Sequence, residues 1–233
     1  MHSTSALYQT LLRDPLHYKR VKLDIAGQEY SEADIVSAPR IVGQVYSTPT
    51  IGVCSARSMT TEVFPKGAIP KQAKIQVYIQ LVKGAQASEW IKKGEFFIST
   101  RQVDKVSGAL SLATYDAMLK SDQVWLTSDY DTENWPMPVA DAVDDIACRM
   151  GVDVDSRTVL DTSFPVEYPV DENGDMTMRD VLSMIAVANA GNWIITDEGK
   201  LRLLRFGELE AETSLLCTED GDVIMLGEVA LVV

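Results

Sequence analysis

The chain has 233 residues, of which 46% are apolar and 24% charged, enough for a substantial core and too many apolar groups for wholesale disorder. Thirty-four acidic against 21 basic residues leave a formal net charge of −13, the opposite of the basic footprint of a dedicated nucleic-acid-binding protein. Three scattered cysteines (Cys54, Cys148 and Cys217) and two histidines near the start (His2 and His17) speak against a disulfide framework, a zinc site and a histidine-based hydrolase.

Residues 1–13 lack the basic and continuous apolar regions of a signal peptide, and no run approaches the ~18 apolar residues of a membrane span. A soluble chain made in a reducing compartment is expected. The charge is uneven: residues 1–126 carry 15 basic and 11 acidic groups, residues 127–233 carry 6 and 23. That split fits two domains with different neighbours or, equally, one solvated acidic surface.

Along the chain, residues 3–16 are predicted to form a short amphipathic helix, capped by Ser5 or Thr4 and ended by Asp14-Pro15, with Leu7, Leu11 and Leu12 on one face. From Tyr18 the period becomes two. Tyr18–Ile25 sets Val21, Leu23 and Ile25 against charges, and 26–29 is a tight turn before Tyr30. Ile35-Val36 and Ile41-Val42 with Val45 are strand candidates broken at Pro39 and Gly43; 51–56 and 58–64 follow. The clearest strand is 73–81, with Ile75, Val77, Ile79 and Leu81 on one side and Lys74, Gln76, Tyr78 and Gln80 on the other. Residues 93–100 and 109–115 flank a turn at 106–108, and 116–122 makes one helical turn leaving the last strand. Many short strands between glycines and prolines predict an all-β barrel or sandwich.

Residues 127–137, with Asp129, Asp131, Glu133 and Trp135, are read as a linker. Beyond it the period is 3.6. In 138–151 the residues Val139, Ala142, Val143, Ile146, Ala147 and Met150 form one stripe, Pro138 suits the first turn, Asp141 favours the free amides, Asp144 and Asp145 face water, and Gly151 ends the helix. Thr177 and Asp180 have capping-box spacing before a second helix carrying Val181, Leu182, Ile185, Ala186 and Ala188 or Asn189, stopped by Gly191. Residues 159–170 hold a short strand with Pro165 and Pro169, and 193–204 form a hairpin around Asp197-Glu-Gly199. The expected fold class is mostly β with a smaller α+β domain. Its parts are an N-terminal helix (1–17), a β-barrel (18–126), the linker (127–137), a helix–loop–helix–hairpin module (138–206) and a terminal β segment (207–233). The module is near the size at which a core alone is marginal.

No constellation for chemistry emerges. Asp129, Asp131 and Glu133 could share a strand face and hold a hard cation, but solvated linker charge is the simpler reading. Residues 171–175 begin like a calcium loop, yet Leu182 stands where the twelfth-position Glu would be, so a turn is expected; 219–222 is another turn. Cys148 reads as a small apolar filler, Trp125 and Trp193 as core, and Trp135 as a domain or subunit contact. Neither a phosphate cradle nor a nucleophile with its base is visible, so no enzyme, cofactor or metal is expected.

Four stretches, taken in order, carry a resemblance. The first is the opening helix followed by Tyr18-Lys-Arg-Val-Lys-Leu-Asp-Ile-Ala-Gly-Gln-Glu29 and Asp34-Ile-Val36. The second is Lys93-Gly-Glu-Phe-Phe-Ile-Ser99 with Leu110-Ser-Leu-Ala-Thr-Tyr-Asp-Ala-Met-Leu119. The third is Val139-Ala-Asp-Ala-Val-Asp-Asp-Ile-Ala147 with Gly151. The fourth is Thr177-Met-Arg-Asp-Val-Leu-Ser-Met-Ile-Ala186 with Gly191, then Ile195-Thr-Asp-Glu-Gly-Lys-Leu-Arg-Leu203. Together they are similar to tail-hub, or baseplate-hub, proteins of tailed bacteriophages and prophages.

That resemblance implies a structural protein. In the family two related β-barrels flank a smaller α+β domain, and three copies form a pseudo-sixfold ring between the sixfold tail tube and a threefold fibre or spike. Carried over, 18–126 resembles the first barrel, 137–206 the inserted module, and 208–233 the start of a second barrel, so the chain reads as truncated, split between genes, or a fragment. The implied partners are copies of itself in a homotrimer and the tube, distal tail and fibre or spike proteins, with no specific nucleic-acid binding and no stable membrane insertion. The implied location is the virion tail, assembled in the cytoplasm of the bacterial host. Acidic walls of a DNA channel would keep DNA from sticking. Interface candidates are Ile79 and Tyr78, in an edge strand at 75–81, Phe97 in another at 96–99, and Trp135 in the linker. The alternative is a non-catalytic carbohydrate- or protein-binding module with exposed tryptophans; a cell-wall hydrolase would need an opposed carboxylate pair, and none is identified.

Overall fold

In the computed structural model, which describes residues 4–43, 50–125, 135–171, 174–206, 225–226 and 229–230, helix α1 (Ala6–Arg13) starts at Ser5, whose hydroxyl accepts the Tyr8 N–H. Asp14 closes it, as the sequence suggests. The buried face differs from the expected leucine face: Tyr8 and Leu11 are buried with Leu81 and Ile91, whereas Leu7 and Leu12 are exposed. One narrow stripe, three residues apart, is all that a helix lying on a sheet has to bury.

The main sheet consists of β1 (Tyr18–Ile25), β2 (Gln28–Tyr30), β3 (Ile35–Val42), β5 (Ser58–Val63), β6 (Lys74–Lys83), β7 (Gln86–Ala87), β8 (Ile91–Val103) and β9 (Leu110–Tyr115), while β4 (Cys54–Ser55) lies in another sheet. All its pairings are antiparallel, in the order β2-β1-β6-β8-β9-β5-β3, with β7 on β6. β1 turns into β2 through Ala26 and Gly27, both at positive φ, the backbone that a two-residue hairpin of matching twist requires. The sheet forms a core from one of its own faces: Leu23, Tyr30, Met59, Val63, Ile75, Val77, Phe96 and Leu112 are buried together, drawn from strands near both ends of the order. A sheet can do this only by curling.

The curl stops short of a closed barrel, which corrects the expected architecture. β2 and β3, the two ends of the order, do not pair with each other. β2 has only three residues before the chain turns at Ser31 and Asp34 and crosses to the opposite edge. Side chains span the gap instead: Lys66 Nζ lies 2.7 Å from Asp34 and donates to the Glu29 carbonyl, and Tyr30 Oη accepts the Lys66 N–H. Along β3, Pro39 does not break the strand; it sits within the second of two register shifts on an edge, where a missing N–H is tolerated. β6 and β8 are interior strands rather than edges, β6 between β1 and β8, and β8 between β6 and β9.

A 3₁₀ turn (Ala117–Asp122), capped by Asp116, leads to the helical region. It contains α2 (Val139–Met150), α3 (Met178–Ala188), β14 (Gly191–Ile195) and β15 (Leu201–Arg205), with short pairs β10 (Met137–Pro138) with β11 (Pro165–Val166) and β12 (Val170–Asp171) with β13 (Gly174–Asp175). The expected α2 stripe is wholly buried, and Gly151 ends the helix at φ 69°. Two expectations on this helix fail: Cys148 is exposed, and Asp145 accepts the Trp125 indole N–H and the Arg149 Nε–H, each at 2.7 Å. Asp145 sits one helical turn before Arg149, the favourable order for such a pair.

The capping box of α3 is complete, with Thr177 Oγ1 accepting from the Asp180 N–H and Asp180 accepting from the Thr177 N–H. Replacing Thr177 with Ala should lower stability by about 1 kcal/mol, read from urea unfolding; no measurable change would mean the box is dispensable. Ala190, at φ 49°, takes the left-handed position after α3, while Gly191 already belongs to β14. There a Cβ would lie 2.6 Å from the Leu204 carbonyl oxygen. The hairpin turns at Gly199, and Trp125 and Trp193 are fully buried, as expected. A two-residue pair, β16 (Met225–Leu226) with β17 (Val229–Ala230), completes the described elements. Val45, Cys217 and the linker acids Asp129, Asp131 and Glu133 lie outside the described residues.

Candidate functional site

The joint between curled sheet and helical region is held by a set of side-chain hydrogen bonds, and it begins with residues 50–57. β4 runs parallel to β14, with Cys54 opposite Trp193 and Ser55 opposite Ile194, forming the three-stranded sheet β15-β14-β4. Asn192 fastens this strap from both sides: its Oδ1 accepts the Val53 N–H at 2.8 Å and its Nδ2 donates to the Thr50 carbonyl at 2.9 Å. Gly52 is required here, since φ is +83° and a Cβ would stand 2.4 Å from a Val187 methyl. Cys54 is buried, and burial pushes its thiol up to about 11, which makes it a packing residue rather than a nucleophile.

The strap ends at Arg57. Its Nη1 donates to Asp197 at 2.6 Å, its Nη2 to the Thr196 carbonyl at 3.2 Å, and its Nε to Asp116 at 3.4 Å. Asp116, whose side chain is fully buried, also accepts the Arg57 and Met118 backbone N–H groups. One carboxylate thus links the end of β9, the start of the 3₁₀ turn and the strap. Arg179, in the first turn of α3, makes the second tie, donating to Asp122, to the Cys54 carbonyl and to the Met118 carbonyl.

Burial pushes the Asp116 carboxyl up to about 6, outweighing the pull of Arg57 and the two amides. A folded-state value above the unfolded one makes the protonated form the stabilising one. The contribution is full below the unfolded value of ~3.9 and is lost as pH rises through about 6. The stability of the parent chain relative to Asp116→Asn should therefore rise by on the order of 2 kcal/mol on acidification from pH 7 to pH 4.5. Parallel urea titrations at both pH values test this, and a pH-independent difference would refute it.

The four residues expected at interfaces do not form one surface. Ile79 is half-buried beside Tyr8, Leu11, Leu81 and Ile91, under α1. Tyr78, on the opposite face of the same strand, donates its hydroxyl to Gln76, and Lys22 Nζ lies 5.5 Å from its ring centre. Lys22 also lies 4.9 Å from the centre of Trp90, with Arg20 at 5.9 Å, so this outer face is basic and aromatic; Glu29 and Glu32 pair with Lys22 and Arg20. Phe97 and Trp135 both pack on the core of the helical region. Phe97 lies 4.0 Å from Lys120 Nζ, and the Trp135 ring meets Trp125 edge-on at 5.4 Å and Tyr168 at 5.6 Å. Next to Tyr168, an apolar cleft of about 450 Å³ opens between Phe164, Met176, Met184 and Ile185.

Sequence reasoning missed Arg57, Asp116 and Arg179. Only Asp116 carried a local sign, a capping aspartate directly before Ala117. Among the described residues, no group of three or more histidine, cysteine or acidic side chains is placed to hold a metal, and no helix is long and apolar enough to cross a membrane.

No protein-family model matches the sequence, and no curated relative matches it. Among solved structures, the fold is similar to a 43 kDa tail protein of prophage MuSo2 from Shewanella oneidensis, with a TM-score of 0.56 at 12% identity over 87% of this chain and 58% of that one. Weaker likenesses are to a tail protein from Neisseria meningitidis, with a TM-score of 0.49 at 15% identity over 79% of this chain and 50% of that one. A prophage tail protein from Listeria monocytogenes gives 0.45 at 9% identity over 86% of this chain and 55% of that one. The chain therefore spans between half and three fifths of the length of these proteins.

Proposed function

We propose that the chain is a non-enzymatic structural component of a phage or prophage tail, placed in the hub or baseplate that joins tail tube to tail tip. The observation that carries this reading is the shared fold: a curled, open sheet followed by a smaller helical region matches the Shewanella prophage tail protein over 87% of this chain. The joint supports it, since a strap held at its start by Asn192 and at its end by Arg57 suits a part that must hold its shape under load. On this reading the protein self-associates as a homotrimer and contacts tube, distal tail and fibre or spike proteins.

Absolute mass by light scattering over a concentration series tests the assembly claim. A trimer that grows with concentration supports the hub; a monomer at every concentration removes self-association by this chain. Trp135→Ala then separates interface from core: if Trp135 anchors a subunit contact, trimerisation weakens by up to ~3 kcal/mol beyond any loss in monomer stability. The sugar-binding alternative is less favoured, because Trp125 and Trp193 are fully buried, Trp135 is packed between two aromatic rings, and Lys22 lies over Trp90.

A further inference from the structure

Arg202 occupies an unusual position. Alternation along β15 sends Leu201 and Leu203 into the core and turns Arg202 to the other face of the sheet, opposite Ile194. That face, with Ser55 from β4, floors a cleft of about 280 Å³ walled by Arg57 and Arg157. Both wall arginines have carboxylates. Arg57 holds Asp116 and Asp197, and Arg157 takes both oxygens of Asp155, at 2.8 Å through Nε and 2.6 Å through Nη2. Asp155 Oδ1 also accepts the Arg157 backbone N–H. Asp155, the acid whose field Arg202 feels, is thus already committed to a neighbour. Arg202 Nε, by contrast, is buried with no acceptor in hydrogen-bond reach. Nε is closed to solvent, but Arg202 as a whole is half-buried and lines the cleft, and among the described residues its guanidinium makes no ion pair, so a carboxylate entering the cleft would supply one.

We propose that this cleft is a notch for a single carboxylate, in which an acidic side chain of a protein partner pairs with Arg202. The chemistry selects that ligand. The planar guanidinium fork matches a carboxylate, and Ile194 on the floor suits the methylene stem of a glutamate. Glu198, which also lines the cleft, opposes a doubly charged phosphate more strongly than a singly charged carboxylate, which disfavours phosphate and nucleic acid. That the partner is a tail protein rests on the function proposed above; that the notch takes a carboxylate does not.

The test is a titration of the ¹⁵N-arginine-labelled full chain with N-acetyl-glutamate-N-methylamide, followed by the side-chain Nε–H resonances. Arg202→Gln identifies the Arg202 signal, and circular dichroism confirms that the variant is folded. A saturable shift of that signal, absent in the variant and at least tenfold weaker with inorganic phosphate, is the expected result. No saturable shift, or an equal response to phosphate, overturns the notch. Because the probe is a small molecule, failure here leaves the light-scattering result untouched, and a monomer there leaves the notch standing.

Discussion

Residues 138–206, produced alone, should show no cooperative unfolding transition and a far-ultraviolet spectrum dominated by unfolded chain. The core they would need is completed by residues from elsewhere: Cys54, Ala117, Met118 and Trp125 are buried within the same cluster as α2, α3 and the hairpin. Trp125 is fully buried, donates its backbone N–H to Met176 and its indole N–H to Asp145, and Gln123 accepts the Met178 N–H. Burying one tryptophan removes ~200 Å² from water, worth about 5 kcal/mol at ~25 cal/mol per Å². A module of this size starts from little more than that. β14 would also lose β4, exposing an edge beside Trp193. A sharp urea transition in the isolated fragment would show that the borrowed residues are accessory.

The second large effect is expected at Arg57. Replacing it with Ala leaves Asp116 buried without its cationic partner, a change that typically costs about 3–5 kcal/mol. The loss should appear in urea unfolding near neutral pH and shrink toward pH 4.5, where the Asp116 carboxyl, already raised to about 6, is protonated. Arg57→Ala combined with Asp116→Asn should recover part of the loss, because the double variant no longer buries an unpaired charge. A single-variant cost below about 1 kcal/mol would make Arg57 an ordinary surface ion pair, and its role in the joint would fall.

What the sequence made legible was local. The α2 stripe, the Thr177–Asp180 box, the bounds of β1 and the Asp197–Gly199 turn follow from spacings of two to four residues, and the structure agrees with them. Long-range pairing was not legible. β4 has two residues, too few for any period, and its partner lies 139 positions onward. Closure of the barrel depended on whether β2 reaches β3, which alternation within each strand does not encode. The same limit placed β6 and β8 at edges when they are central, and with them the setting of Tyr78, Ile79 and Phe97. Arg57 was invisible because its importance comes from burying a distant carboxylate, whereas Trp135 stood out by residue type and is held by two other aromatic rings.

The distance between the strap and its partner has a consequence in time. During synthesis at ~5–20 residues per second, the ribosome needs roughly 7–28 s to travel from the strap to β14. The neighbouring strands β5, β6, β8 and β9 emerge early and can pair, while Cys54 lacks its strand partner Trp193 and its thiol contacts to Arg179 and Ser183 until α3 and β14 arrive. Its thiol is thus open to reagents in the nascent chain and closed in the finished one. Pulse alkylation of ribosome-bound chains of increasing length should report the moment the two halves of the molecule become one, as a drop in Cys54 labelling once β14 has cleared the exit tunnel.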